Sequence, residues 1–212
     1  VSAKIGLLAI LVALIFGIIL GAIAALNRNK WPDRVIIFFV TLFTAMPSFV
    51  MASFLLLIFC IQLEWVPVWS TNNPNYVLPV LALSLSPMAY ITRLTKTSML
   101  DVLGQDYIRT ARAKGVAHWK VIFVHALRNS LIPVITYVGP LTASILTGSL
   151  VIETLYAIPG TGGLLTNAIK SQDNPLVQVI VLMYAILSVV GVFLGDLLVA
   201  FIDPRIKLTE GD

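Results

Sequence analysis

The chain has 212 residues, of which 58% are hydrophobic and only 11% charged, and its mean hydropathy is +0.96. Soluble domains carry about 25% charged residues, and a body of this size in water could not cover so much apolar side chain; a soluble enzyme and a nucleic-acid-binding domain are therefore excluded. The net charge is a mild +4, from 14 Lys and Arg against 10 Asp and Glu, so the position of the charges carries more information than their sum.

A membrane-spanning helix needs about 20 apolar residues. The first such run is Ile5 to Leu26, free of charge. Val1 is not a start residue and almost no charged region precedes this run, so an earlier span is expected ahead of it. The second run, Val35 to Leu63, is also uncharged and long enough to tilt. It contains the lone cysteine, Cys60, which allows no internal disulfide and reads as a small buried hydrophobe. The third span is expected over Tyr76 to about Thr95, the fourth over Leu131 to Ile152, and the fifth over Leu176 to about Ile202, interrupted by Asp196. Pro47, Pro79, Pro87, Pro133 and Pro140 fall within these spans or at their edges, where neighbouring helices can re-satisfy the freed carbonyls. The alternation of a β-barrel strand is missing. The expected fold class is an all-α membrane protein, a polytopic bundle of about five transmembrane helices.

Basic residues orient the bundle. Arg28, Lys30 and Arg34 lie between spans one and two. Arg93, Lys96, Arg109, Arg112, Lys114, Lys120 and Arg128 lie between spans three and four or at their edges, and Arg205 and Lys207 follow span five. All fall on one side, the cytoplasmic one. The opposite side has only Lys4 and Lys170, with Trp65 and Trp69 as interface anchors.

The cytoplasmic segment from Asp101 to Asn129 is polar enough to leave the bilayer and patterned enough to fold. Leu100, Leu103, Tyr107 and Ala111 recur at helical spacing, and so do Trp119, Ile122, Phe123, Ala126 and Leu127. Gly115 lies between them, where a helix end often needs a left-handed residue. The expected unit is helix, turn, helix, read either as an amphipathic hairpin lying on anionic lipid or as a docking element for a cytoplasmic partner.

Other residue patterns point away from chemistry. Gly160-Thr-Gly-Gly163 is followed by Leu164 and Leu165 rather than the Lys-Ser/Thr of a phosphate loop, so it reads as a tight outer turn. His118 and His125 have no second ligand at useful spacing, and no metal site is expected. No carboxylate stands at the middle of a span, as an ion- or proton-coupled carrier usually requires, and no nucleophile, base and orienter group appears. Ser84, Ser86, Thr136, Thr142, Ser144, Thr147 and Ser149 either line a wet path or let helices pack closely.

The stretch Asp106-Tyr-Ile-Arg-Thr-Ala-Arg-Ala-Lys-Gly115, followed by His125-Ala-Leu-Arg-Asn-Ser-Leu-Ile-Pro133, resembles the cytoplasmic signature of ABC importer permeases, and within them the peptide-transport branch. The position of the family's Glu-Ala-Ala triplet holds Arg109-Thr110-Ala111, and its later Ile-x-Leu-Pro falls on His125-Ala126-Leu127-Arg128. The run from Glu153 to Leu164 is similar to that branch's outer loop, and Asp203-Pro-Arg-Ile-Lys207 to its cytoplasmic end. The resemblance covers nearly the whole chain and points to the first of two paired permeases of oligopeptide or dipeptide importers.

The resemblance implies a type I importer fold in the cell (inner) membrane of a bacterium or archaeon. It implies a second permease, two cytoplasmic ATPases and an outer substrate-binding protein as partners, with ATP and Mg²⁺ on the ATPases and no cofactor in this chain. Arg109, Thr110, Ala111, Arg112, Ala113, Lys114, Gly115, His125, Leu127 and Arg128 would dock the ATPase, and Glu153, Tyr156, Pro159, Gly160, Gly162 and Gly163 would form the outer contact with the binding protein. A nickel or other small-solute importer shares much of the pattern, and a self-sufficient carrier or channel is the alternative outside the family.

Overall fold

The computed structural model describes residues 1–202, and all regular structure among them is helical. Helix α1 is Ser2–Leu26 and α2 is Trp31–Ala45, with Pro32 in the first turn, where its missing N–H costs nothing. Helix α3, Ser48–Gln62, follows a break at Met46 and Pro47, and its last seven residues, Leu56–Gln62, widen into π-helical turns. Helix α4 is Val77–Leu103, α5 is Asp106–Ala113 and α6 is His118–Ser130. Then come α7, Ile132–Leu155, α8, Thr161–Lys170, and α9, Asn174–Ile202. The side chains of Thr147 and Asp196 and the terminal Asp203-Pro-Arg-Ile-Lys207 lie outside the described residues.

Helices α1, α4 and the stretch Asn174–Gly195 of α9 are each long and apolar enough to cross a membrane. The number reaches five if each of two bent pairs is one crossing, α2 with α3 and α6 with the first half of α7. The second expected span, 35–63, is therefore not one tilted helix, because the chain turns by 107° between α2 and α3. Proline disfavours helical backbone in the residue before it, and Met46 is extended, with φ −92° and ψ 130°. Pro87 and Pro140 stay inside continuous helices.

Helix α4 is the axis of the bundle. Helix α1 lies along it through Ala9, Ala13, Gly17 and Gly21, one small buried residue every four positions. Helix α7 closes the far side, with Leu141, Ile145 and Ile152 in the same core as Ile5, Leu83 and Ile91. Helix α9 packs on α7 where Gly195 meets Gly139 backbone to backbone, and elsewhere exposes Val179, Leu182, Ile186, Val189 and Phe193, as suits lipid.

Tyr156 follows α7 and is 1% exposed. Its hydroxyl donates to the Ala52 carbonyl of α3 at 3.0 Å, across 104 residues of chain. Tyr156→Phe keeps the ring and removes this bond. The expected loss is about 1 kcal/mol, read as a lower melting temperature of the detergent-purified protein; an unchanged melting temperature would mean that the bond does not anchor α3.

Candidate functional site

Helices α5 and α6 form a hairpin at the end of α4 that carries Arg93 and Lys96. Helix α5 stops through paired bonds, from Val116 N–H to the Ala111 carbonyl at 3.2 Å and from Gly115 N–H to the Arg112 carbonyl at 3.0 Å. This Schellman ending puts the residue after the cap in the left-handed region, and Gly115 has φ +74°. Asn129 Nδ2 donates to the Tyr107 hydroxyl at 2.9 Å and ties the two arms together.

The inward face of the hairpin is Ile108, Val121, Ile122 and Ala126, buried with Met99 of α4 and Ala25 of α1. Here the expected apolar face needs correction. Trp119 and Phe123 are 57% and 59% exposed, and Tyr107 is 44% exposed. Val121–Leu127 winds in π-helical turns, whose i→i+5 bonding shifts Phe123 out of the register of an ordinary helix, while Trp119 and Tyr107 stand on the outer side of α-helical turns. The outer surface therefore joins three aromatic side chains to a set of cations. Arg109, Thr110, Arg112, Ala113, Lys114, Gly115 and Arg128 are exposed, and Ala111, His125 and Leu127 are half-buried. Arg109 lies 3.6 Å from Asp106, whereas among the described residues Arg112, Lys114 and Arg128 have no ion pair.

Of the residues expected to line a path, the structure brings Ser86 and Ser144 together. They share a cleft of about 200 Å³ with Thr44 and Ser48 from either side of the α2–α3 break, and with Tyr90 and Tyr137. The two tyrosine rings lie with centroids 4.3 Å apart. Ser84 is fully buried and donates to the Leu81 carbonyl, Thr142 lies against Gly191 of α9, and exposed Thr136 donates to the Ile132 carbonyl of its own helix. None of these three lines the cleft.

The outer loop is built inward. Glu153 is fully buried, and its Oε2 accepts the Gly162 N–H at 2.9 Å in the first turn of α8, where the helix dipole favours a negative charge. Its Oε1 has no partner. A β-carbon at Gly160 would collide with that carboxylate, and one at Gly162 would come within 2.7 Å of the Leu150 carbonyl. Thr161 bonds to Ser2 and to the Tyr184 hydroxyl, which joins α8 to α1 and α9. Glu153, Tyr156 and Gly162 thus hold the loop and present nothing outward, which corrects the expectation of an outer contact at these three; Gly160 and Gly163 are half-buried and Pro159 is exposed.

Residues 17–208 match the family described as the binding-protein-dependent transport system inner membrane component. The chain belongs to that family. Among curated relatives it is 46% identical over 209 residues to the dipeptide transport system permease protein DppB of Bacillus subtilis, which covers 98% of this chain and 68% of that protein. It is 42% identical over 210 residues to the oligopeptide transport system permease protein OppB of Salmonella typhimurium, covering 98% and 69%. A solved structure of the MetNI methionine ABC transporter, facing inward, has the same fold with a TM-score of 0.77 over 95% of this chain and 93% of that one, at 12% identity.

In this inner membrane component, sequence reasoning missed Tyr90, Tyr137, Thr44 and Ser48. Each sits in an apolar run with nothing local to distinguish it; only the break at Pro47 flags Thr44 and Ser48. The Asp33–Lys96 ion pair is likewise invisible in the sequence, where Lys96 is one of several cytoplasmic cations.

Proposed function

We propose that this chain is the translocation subunit of an ATP-driven importer of peptides. It pairs with a second permease, receives cargo from an outer binding protein, and is moved by two cytoplasmic ATPases that bind the ATP and Mg²⁺. The chain itself performs no hydrolysis. The observation that carries this reading is the hairpin. Its inner face is locked to the ends of α1 and α4, and its outer face offers Tyr107, Trp119 and Phe123 beside the exposed Arg112, Lys114 and Arg128. Exposed aromatics with neighbouring arginine are the residues that dominate protein interfaces, and a rigid base lets a partner's motion reach α4. The relatives named for dipeptide and oligopeptide transport support peptides as the cargo.

The test is co-expression of the full-length protein with its second permease and ATPases, followed by purification through the permease. The wild type is expected to carry the ATPases. Phe123→Asp leaves the buried base intact and is expected to weaken docking by about 2 kcal/mol or more, roughly thirtyfold in affinity. Gly115→Pro, which removes the bond to Arg112 and cannot adopt the positive φ, should lose the ATPases as well. Retention of the ATPases by both variants, or their absence from a normally inserted wild type, would overturn the docking role. Uptake of a labelled dipeptide by the reconstituted complex then tests the cargo.

A further inference from the structure

The cleft at the α2–α3 break has properties that packing alone does not require. Ser86 lies about 14 Å along α4 from Val77, and Ser144 about 18 Å along α7 from Ile132, at 1.5 Å per residue. Both fall near the middle of a hydrocarbon layer about 30 Å thick. Ser144 and Tyr90 are nonetheless exposed on the surface of this chain. A tyrosine hydroxyl facing lipid at that depth is costly, so the surface around Tyr90 belongs against protein or water.

The chemistry of the lining is specific. Six hydroxyl side chains converge, and no charged residue is among those that form the cleft. Leu83 and Pro87 also line it. Thr44 donates to the Val40 carbonyl at 2.7 Å, so the donors that face a guest are the hydroxyls of Ser48, Ser86, Tyr90 and Tyr137. A hydroxyl both donates and accepts, and the set therefore complements an amide's C=O and N–H. The rings of Tyr90 and Tyr137, tilted by 35° to each other, add an aromatic wall that accepts apolar or polar groups alike.

We propose that this cleft holds the main chain of a peptide in transit, and that its neutrality makes passage indifferent to the sign of the cargo's side-chain charge. The assignment rests on the peptide-importer reading and adds the place and basis of recognition. Hydroxyl contacts at several points hold cargo weakly enough to release it, as a conduit requires. An ion pair in the same low-dielectric place would hold one class of peptide and repel another.

The experiment places a charge in the cleft of the reconstituted importer. Uptake of Ala-Lys-Ala and Ala-Glu-Ala is compared for the wild type, Ser86→Asp and Ser86→Lys, with Ala-Ala-Ala as the neutral cargo. The wild type should take up the two charged peptides at similar rates. Ser86→Asp should move the ratio toward the lysine peptide by about tenfold, and Ser86→Lys by about as much toward the glutamate peptide. Ratios that stay put in both variants while the neutral peptide is still imported overturn the cleft assignment and leave the importer reading standing. A wild type that imports none of the three peptides overturns the importer reading, and the cleft assignment falls with it. Should the charged variants fail to insert, Ser144→Cys in a Cys60→Ala background keeps the question open to a decision. Labelling of that cysteine by a small thiosulfonate should slow about fivefold when Ala-Ala-Ala saturates the complex, and equal rates with and without peptide sink the proposal.

Discussion

Gly21→Leu is expected to leave the protein without a stable α1–α4 pair. A β-carbon at Gly21 would lie 2.6 Å from Thr95 Cβ and 2.7 Å from the Thr92 carbonyl, and one at Gly17 would lie 2.7 Å from Ile91 Cγ2. The helices meet main chain to side-chain root, with no flexible end that could give way. Lipid supplies no hydrophobic drive between helices, so this close approach is itself what holds them. Overpacking of a core by a few methylenes costs about 1–3 kcal/mol, and leucine here forces the axes apart along a contact that extends for most of α1. The measurement is the melting temperature and protease resistance of the detergent-purified protein. Ile15→Ala, on a side chain 53% exposed on the opposite face, is the control and should change neither. A Gly21→Leu protein that melts with the wild type would refute the close-packing account.

Lys96→Met is expected to cost about 3 kcal/mol, because it strands the Asp33 carboxylate. Lys96 Nζ donates to Asp33 Oδ1 at 2.5 Å, and the two side chains are 19% and 7% exposed. Asp33 Oδ2 accepts the Asn29 N–H at 2.9 Å, which fixes the tight connection from α1 to α2. Removing one partner of a buried pair leaves an uncompensated charge, whereas removing both charges restores much of the loss. The double variant Asp33→Asn with Lys96→Met should therefore be more stable than Lys96→Met alone. Thermal unfolding of the two single variants and the double gives the coupling directly. Strictly additive losses would mean that the two residues act independently and that the pair does not fasten α2 to α4.

The all-helical membrane character was readable because charge-free runs of about 20 residues have few fates. Pro47 shows where that reading stops. Pro47, Pro87 and Pro140 look alike in sequence, each inside an apolar run, yet only Pro47 accompanies a 107° turn. Distant residues make the difference: α4 and α7 pack along the flanks of α3, and Tyr156 holds it through Ala52. The hairpin was legible from Gly115 and its cations, but its inward face was not, since nothing local announces that Val121–Leu127 widens its turns and leaves Phe123 outward. The polar residues of the spans show the same limit. Ser84 and Ser86 are two positions apart, and one is sealed in the core while the other borders the cleft. Glu153 read as the start of a loop, and its burial became visible only once α8 folded back over it.

The bond from Tyr156 to Ala52 has a mechanical consequence. Helix α3 is pinned near its start to the outer end of α7, only a few residues beyond Met46 and Pro47. The other arm of the bent crossing is held at a different place. Helix α2 is that arm, and it carries Thr44 at the cleft and Asp33 at the level of α4's cytoplasmic turns. The bend thus has an outer arm held through Ala52 and an inner arm held through Asp33, and Thr44 stands between the two fastenings.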